Sequence, residues 1–312
     1  MSYNIYIPDN NIFMHHHHHP VQFYPDRLFK IGIALNFSFV LLQFGFGWWS
    51  NSLALLADAG HNLGDVFGLL IAWGGSWLAR RRPTPSHTYG FRRASILSPL
   101  LNSALLLGFT LFIGLEAIQR LLEPRPIASL TVIGVASVGI LINTGTALLF
   151  FTKQHQDLNL KGAFLHMLAD AIVSLGVVVS GFLILWTGWQ WLDSVTSLIL
   201  AVVIAIGAWQ LLQEALKLVL DGVPPQVNLS AIQAYLLDLK GVTSIHDLHI
   251  WAMSSTEPAL TVHLIMPAGV PHPDFLSRIA QDLHQQFNIE HSTIQIETGR
   301  SFLPCSQSNC GV

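Results

Sequence analysis

An all-α membrane domain of six spans followed by a small cytoplasmic α+β domain is the architecture this sequence predicts, and three observations carry it. Only 11% of the 312 residues are charged and 51% are hydrophobic, whereas a soluble domain carries about 25% charge. The apolar residues gather in charge-poor blocks at roughly 31–49, 52–79, 94–118, 127–151, 162–186 and 190–213. Each block is close to the ~20 residues a helix needs to cross hydrocarbon. Beyond about residue 222 the composition turns into that of an ordinary soluble domain.

Residues 1–27 are polar and expected to be flexible, and they contain the run His15–His19. No charged n-region followed by an apolar core occurs in residues 1–25, so the first span is expected to serve as the insertion signal. The six spans fill residues 28–220. Arg27, Lys30, Arg80, Arg81, Arg82, Arg92, Arg93, Lys153 and Lys161 then fall on the side of both termini, and only Arg120 and Arg125 fall opposite. The positive-inside rule places the termini in the cytoplasm. A multi-pass protein of a bacterial cytoplasmic (inner) membrane suits the compact loops, while the net charge of −3 discriminates nothing. The short connection TGWQW near 187–191 makes spans five and six a tight antiparallel hairpin.

Residues 221–300 read as α-β-β-α-β. LSAIQAYLLDL (229–239) has helical periodicity, and TSIHDLHIW and ALTVHLIM alternate like strands on either side of Thr256-Glu257-Pro258. Phe275, Ile279, Leu283 and Phe287 recur at steps of four along an amphipathic helix, and HSTIQIE supplies a last strand. That order suits a ferredoxin-like module. Residues 301–312 form a tail with Cys305 and Cys310. In the cytoplasm a disulfide is disfavoured, which leaves a free thiol pair as a candidate ligand set.

Two aspartates and a histidine in LADAGHNLGD (56–65), and a second His-x-x-x-Asp in FLHMLADAI, interrupt otherwise apolar spans. His61 and Asp65 are four apart, as are His166 and Asp170, so each pair shares one helix face. Two such faces meeting offer two imidazole nitrogens and two carboxylates, enough for a tetrahedral site. Those donors suit zinc best, and cobalt, cadmium, iron or manganese less well. Ionisable groups at mid-membrane cost several kcal/mol and mark function. A purely structural interhelical hydrogen bond is the blander alternative, and the repeat at identical spacing speaks against it. Asp58 lies on the same face as His61 and Asp65, as an outer acceptor, part of a route to the site, or a weak ligand. Asn36, Gln43, Asn102, Asn143 and Asp193 are expected to hydrogen-bond between helices. Gly60, Gly64 and Gly68 are expected to permit close helix packing.

Hydrolytic metal chemistry would call for a motif such as His-Glu-x-x-His, and a di-iron bundle for Glu-x-x-His pairs; the sequence has neither, and no enzyme activity is expected. Nucleic-acid binding has no basic patch to rest on.

SLALLADAGHNLGD, PSHTYGFRRASIL, LKGAFLHMLADAIVSLGVVV, DLHIW and HSTIQIE resemble the cation diffusion facilitator family, in particular its zinc-exporting branch, over about residues 28–300. The resemblance implies a homodimer of six-span protomers, each with a cytoplasmic metallochaperone-like domain, that exchanges cytoplasmic divalent metal for protons by alternating access. His61, Asp65, His166 and Asp170 match the family's transport site, where a first-position histidine usually goes with zinc. His246, His263 and Glu297 match metal positions of the family's tail domain, with His291 a weaker match, so zinc is expected both as transported substrate and as regulatory ligand. Cys305 and Cys310 resemble the C-terminal thiols of related zinc transporters at a wider spacing. His87 falls in a loop where some members bind a further zinc, but Phe91 and Arg92 stand where the second histidine would be. Arg93 and Asp221 match a charge pair that ties membrane and tail domains together. The run His15–His19 is either a native collector of zinc near the entrance or an inert tail.

The expected function is therefore export of cytoplasmic zinc as a zinc/proton antiporter. The alternatives are the same fold with a broader or different metal preference (Cd, Co, Mn or Fe) or a non-transporting metal sensor, against which the complete ligand set speaks.

Overall fold

A computed structural model describes residues 27–151, 158–269 and 272–298; the run His15–His19, Lys153 and the Cys305/Cys310 pair lie outside the described residues. Six long helices come first: α1 (Arg27–Ser50), α2 (Leu53–Ala79), α3 (Ala94–Leu122), α4 (Ser129–Phe151), α5 (Leu158–Thr187) and α6 (Trp191–Val219). Over their described residues α3, α4, α5 and α6 are long and apolar enough to cross a membrane. Trp48, Trp49, Trp186 and Trp189 are exposed at one end of the bundle, and Trp73 and Trp77 toward the other. Amphipathic rings settle at such levels of a bilayer. The Arg81 guanidinium lies 4.2 Å from the Trp77 ring, as a cation over an aromatic face.

Helix α2 is central. It packs along α1 and α3 and also meets α6, while α4 pairs with α5 and α3 with α6. Its start is held by more than its own cap. Ser52 accepts a hydrogen bond from Leu55 N at 3.1 Å and donates to Asp193 Oδ1 of α6 at 2.5 Å, and Leu53 N donates to Asp193 Oδ2 at 2.7 Å. A buried carboxylate thus takes up donors that a helix N-terminus leaves free. From α3, Arg120 Nη1 donates to Asn51 O at 2.7 Å, in a turn where Asn51 has a φ of 60°. Asp193 and Gln43 do bridge helices, as their sequence positions suggest. Asn143 departs from that expectation, because its Nδ2 is buried with no hydrogen-bond partner among the described residues.

The glycines of α2 match the side chains of α3. A Cβ at Gly60 would lie 1.8 Å from the Phe109 ring, one at Gly64 would lie 3.2 Å from Leu106, and one at Gly68 would lie 2.9 Å from Asn102. Close helix approach through small residues compensates for the lack of a hydrophobic drive between helices in lipid.

The soluble part consists of α7 (Leu229–Asp238), β1 (Ser244–Ala252), β2 (Pro258–Ile265), α8 (Phe275–Phe287) and β3 (His291–Glu297). The sheet order is β1-β2-β3, with β1/β2 antiparallel and β2/β3 parallel. Ile232 and Leu236 of α7 and Ile279 and Leu283 of α8 bury against Leu260 and Leu264 of β2. The α-β-β-α-β order is as the periodicity predicts.

Replacing Gly60 by alanine is expected to destabilise the chain by about 1–3 kcal/mol, because the Phe109 ring must leave its place. Thermal unfolding in detergent checks this, and adding Phe109→Ala to Gly60→Ala is expected to recover part of the loss.

Candidate metal centres

The two His-x-x-x-Asp faces meet. Helices α2 and α5 run antiparallel at this point, so each histidine finds the carboxylate of the other helix. His166 Nε2 lies 3.1 Å from Asp65 Oδ2 and 3.7 Å from Asp170 Oδ2. His61 Nε2 lies 3.2 Å from Asp170 Oδ1 and 3.8 Å from Asp65 Oδ2. One ligand atom from each of the four residues falls within 4.8 Å of the others. A tetrahedron built on metal–ligand bonds of about 2.0–2.1 Å has edges of about 3.3–3.4 Å. The four His–Asp separations bracket that edge, and every separation within the set stays within 4.8 Å, so the four donors are spaced to close on one ion of zinc's size.

Exposure changes across the square. The His166 side chain is 42% exposed and that of Asp65 31%, against 19% for His61 and 3% for Asp170. Beyond Asp170, away from the tail domain, α2 is buried continuously from Leu53 to Ala59. There it packs with Ile113, Val132, Ala136, Val177, Val178, Leu200 and Ile204. The ligands therefore sit where a packed far half of the bundle meets a more open half on the tail side. Asp58 lies on the packed side of this boundary and does not join the four-residue cluster. Its Oδ2 accepts from Gln43 Nε2 at 2.5 Å and from Ser174 Oγ at 3.1 Å.

A second cluster forms in the tail domain. His246 and His263 are directly paired across β1 and β2, which puts both side chains on one face of the sheet. Glu297 lies two residues beyond the β3 partner of His263 and so shares that face. His263 Nδ1 lies 2.8 Å from Glu297 Oε1, and His246 Nε2 lies 3.3 Å from Glu297 Oε2. The hydrogen bond from His263 holds the Glu297 carboxyl below the usual carboxylate range. Two imidazoles and a carboxylate leave one position of a tetrahedron for a further ligand, and the donor set fits zinc.

Other sequence candidates separate from these clusters. His291 does not reach Glu297, because six residues of strand hold the two ends of β3 about 20 Å apart; its ring lies 6.0 Å from that of Tyr89 in the α2–α3 loop. His87 stacks on Phe91 at 4.5 Å, its Nδ1 lies 3.1 Å from Ser86 Oγ, and it joins no metal cluster among the described residues. Arg93 Nη2 meets Asp221 Oδ1 at 2.6 Å. Two features are not evident in the sequence. Asp247 sits in a bulge of β1 at φ 54°, with Oδ2 3.7 Å from His263 and Oδ1 2.9 Å from His249. Arg92 Nη1 meets Glu257 Oε2 at 3.1 Å, joining the α2–α3 loop to the β1–β2 turn.

Long apolar helices around a partly buried set of two histidines and two carboxylates define a membrane protein with the donors to handle a metal ion. Residues 29–220 match the cation efflux transmembrane domain, and residues 224–299 match the cytoplasmic domain of cation efflux proteins. The chain belongs to the cation efflux family, the cation diffusion facilitators. It is an integral membrane protein with four to six spanning helices, its class is divalent metal efflux, and the family is not enzymatic. The metal cation efflux system protein CzcD of Cupriavidus metallidurans is 36% identical over 285 residues, covering 91% of this chain and 89% of its own. The zinc transporter ZitB of Escherichia coli is 32% identical over 285 residues, with the same two coverages of 91% and 89%. The cadmium, cobalt and zinc/H(+)-K(+) antiporter of Bacillus subtilis is 29% identical over 277 residues, covering 87% of this chain and 89% of its own. The solved metal-bound C-terminal domain of the CzcD transporter from Cupriavidus metallidurans is 40% identical and covers 23% of this chain and 99% of its own, at a TM-score of 0.22.

The lowered Glu297 carboxyl has a consequence for acid stability. A depressed folded value contributes stability that is present above the unfolded pKa of about 4.3 and disappears as pH falls through the folded value. In metal-free protein the gap in unfolding midpoint between the unaltered chain and Glu297→Gln is therefore expected to be widest near pH 6 and to close as pH falls from about 5 to below 4. Thermal melts across that range read it directly.

Proposed function

We propose that the protein exports cytoplasmic zinc in exchange for protons, as a homodimer of six-span protomers in a bacterial inner membrane with both termini cytoplasmic. The observation that carries this reading is the square of His61, Asp65, His166 and Asp170 at the boundary between a packed and an open half of the bundle. The bias of Lys and Arg toward the tail-domain side, set against Arg120 and Arg125 on the other, supports the orientation. The open half then faces the cytoplasm, and the square is the transport site in its inward-facing state.

The donors themselves suggest how the two fluxes couple. An imidazole binds zinc only when neutral, so metal and proton compete for His61 and His166. Opening toward the cytoplasm favours the metal. Closing that side and opening the far side releases it where protonation of the same groups wins, and the protonated site returns. The proton in the name of the Bacillus subtilis relative supports this coupling, and the cadmium and cobalt beside it favour, as a second reading, a broader metal range.

Residues 28–220 make up the transport domain and 221–300 a metal-binding regulatory and dimerisation domain of ferredoxin-like character. In that domain His246, His263 and Glu297 are the residues that would hold a regulatory zinc, which would supply a cross-link between the three strands. Cys305 and Cys310 remain further candidate ligands by sequence. Arg93 and Asp221 interlock the two domains.

Zinc uptake into proteoliposomes under an imposed proton gradient tests the reading. Flux is expected to follow the gradient and to fall at least about 100-fold in Asp65→Ala and in His166→Ala, each of which removes a ligand. Flux indifferent to the gradient would remove the proton from the mechanism, and flux indifferent to both substitutions would remove the square.

A further inference from the structure

Asp65 faces His166, His61 faces Asp170, and one turn farther from the tail domain Asp58 faces Ser174 at 3.1 Å. The three pairs form a ladder between α2 and α5. The first two rungs are the proposed transport site. The third is sealed: Asp58 and Ser174 are both 0% exposed.

A carboxylate buried only to brace helices would be expected to have both oxygens satisfied, since an unpaired buried acceptor costs about 1–3 kcal/mol and more when charged. Asp58 is not arranged that way. Its Oδ2 takes both donors, Gln43 Nε2 from α1 and Ser174 Oγ from α5. Gln43 is itself fixed, its Oε1 accepting from Asn62 Nδ2 at 3.2 Å. The other oxygen, Oδ1, is buried with no hydrogen-bond partner among the described residues, as is Nδ1 of His61 one turn away. One oxygen held by two donors and the other left free is how proteins orient a metal-ligating carboxylate.

We propose that Asp58 is a metal ligand on the release side of the transport site. It is the first carboxylate beyond the square that a divalent cation meets when the far half of the bundle opens. His61, standing between the outer and inner rungs, is the residue common to both stations. Along this ladder the ion moves from the rung that is most open to the tail side toward the one that is fully enclosed, without passing through purely apolar packing. The inference rests on the efflux reading and adds a station to it.

Full-length protein carrying Asp58→Asn, Asp58→Ser or Asp58→Cys tests the idea by zinc binding in detergent and by zinc and cadmium flux in proteoliposomes. Asparagine keeps an oxygen for the Gln43 and Ser174 donors and removes the anionic ligand atom. In a chain whose tail cluster is also removed by His246→Ala and His263→Ala, Asp58→Asn is expected to bind zinc within about threefold of the same chain with Asp58 intact, showing an intact transport site, and to transport it at least about tenfold more slowly. Cysteine restores a ligand atom of softer character, so Asp58→Cys is expected to regain flux over Asp58→Ser and to raise the cadmium-to-zinc rate ratio about fivefold or more. Asp58→Asn transporting at the unaltered rate would show that Asp58 only braces the helices. Loss of zinc binding in Asp58→Asn, or an unchanged metal ratio in Asp58→Cys, would also overturn the proposal. Unaltered protein that binds zinc but moves none fails at the earlier step, overturning the efflux reading and this station with it.

Discussion

Two carboxylates and two imidazoles must be held together inside an apolar bundle, and the arrangement of the helices follows from that requirement. Neither α2 nor α5 can satisfy its own His-x-x-x-Asp alone, because the short contacts run between helices: His61 to Asp170 and His166 to Asp65. Yet α2 and α5 touch each other little outside these groups. Their register is imposed from the sides, by α4 along α5, by α3 and α6 against α2, and by Gln43 of α1, which reaches both Asp58 and Asn62. Such a site can change as its supporting helices move, which an ion carrier needs and a static zinc site does not.

The packing is graded along the bundle to match. The half remote from the tail domain contains the continuous core and the clasp of Asp193 and Arg120 around the start of α2. Toward the tail domain the ligands are more exposed, and the contacts between domains are polar. Arg92 with Glu257, Arg93 with Asp221, and Ser255 N donating to Ser95 Oγ join the α2–α3 loop and the start of α3 to the end of α6 and the β1–β2 turn. Exposed ion pairs of this kind contribute about 0–1 kcal/mol each, enough to set an orientation and weak enough to exchange. The His246, His263 and Glu297 cluster lies toward the other end of the same sheet, about 17 Å from that turn along β2.

Much of this was legible in the residues. Six apolar blocks predict six helices because lipid admits few other structures, and the observed helices lie on those blocks. The spacing of four in each His-x-x-x-Asp predicts a shared face, since helical period is local. The alternation around Thr256-Glu257-Pro258 predicts a hairpin, and β1 and β2 pair there. Less legible were groups whose partners are remote in sequence. Ser174 reads as one more small residue of α5 until Asp58 lies against it. Asp247 reads as a strand residue until the bulge at φ 54° turns it toward His249 and His263. His291, similar by motif to a ligand, is carried away from Glu297 by the strand they share.

By itself the sequence determined what depends on neighbours along the chain: helix number and length, which side chains share a face, the strand alternation, and the donor chemistry that suits zinc. Tertiary structure alone decided which helix faces which, that each histidine takes the other helix's carboxylate, that the square lies between a packed and an open half, and that one oxygen of Asp58 has no hydrogen-bond partner among the described residues. Helical period and hydropathy are set within a few turns of chain. Interhelical register and burial are set by groups a hundred residues apart, such as His61 and Asp170, which only packing brings together.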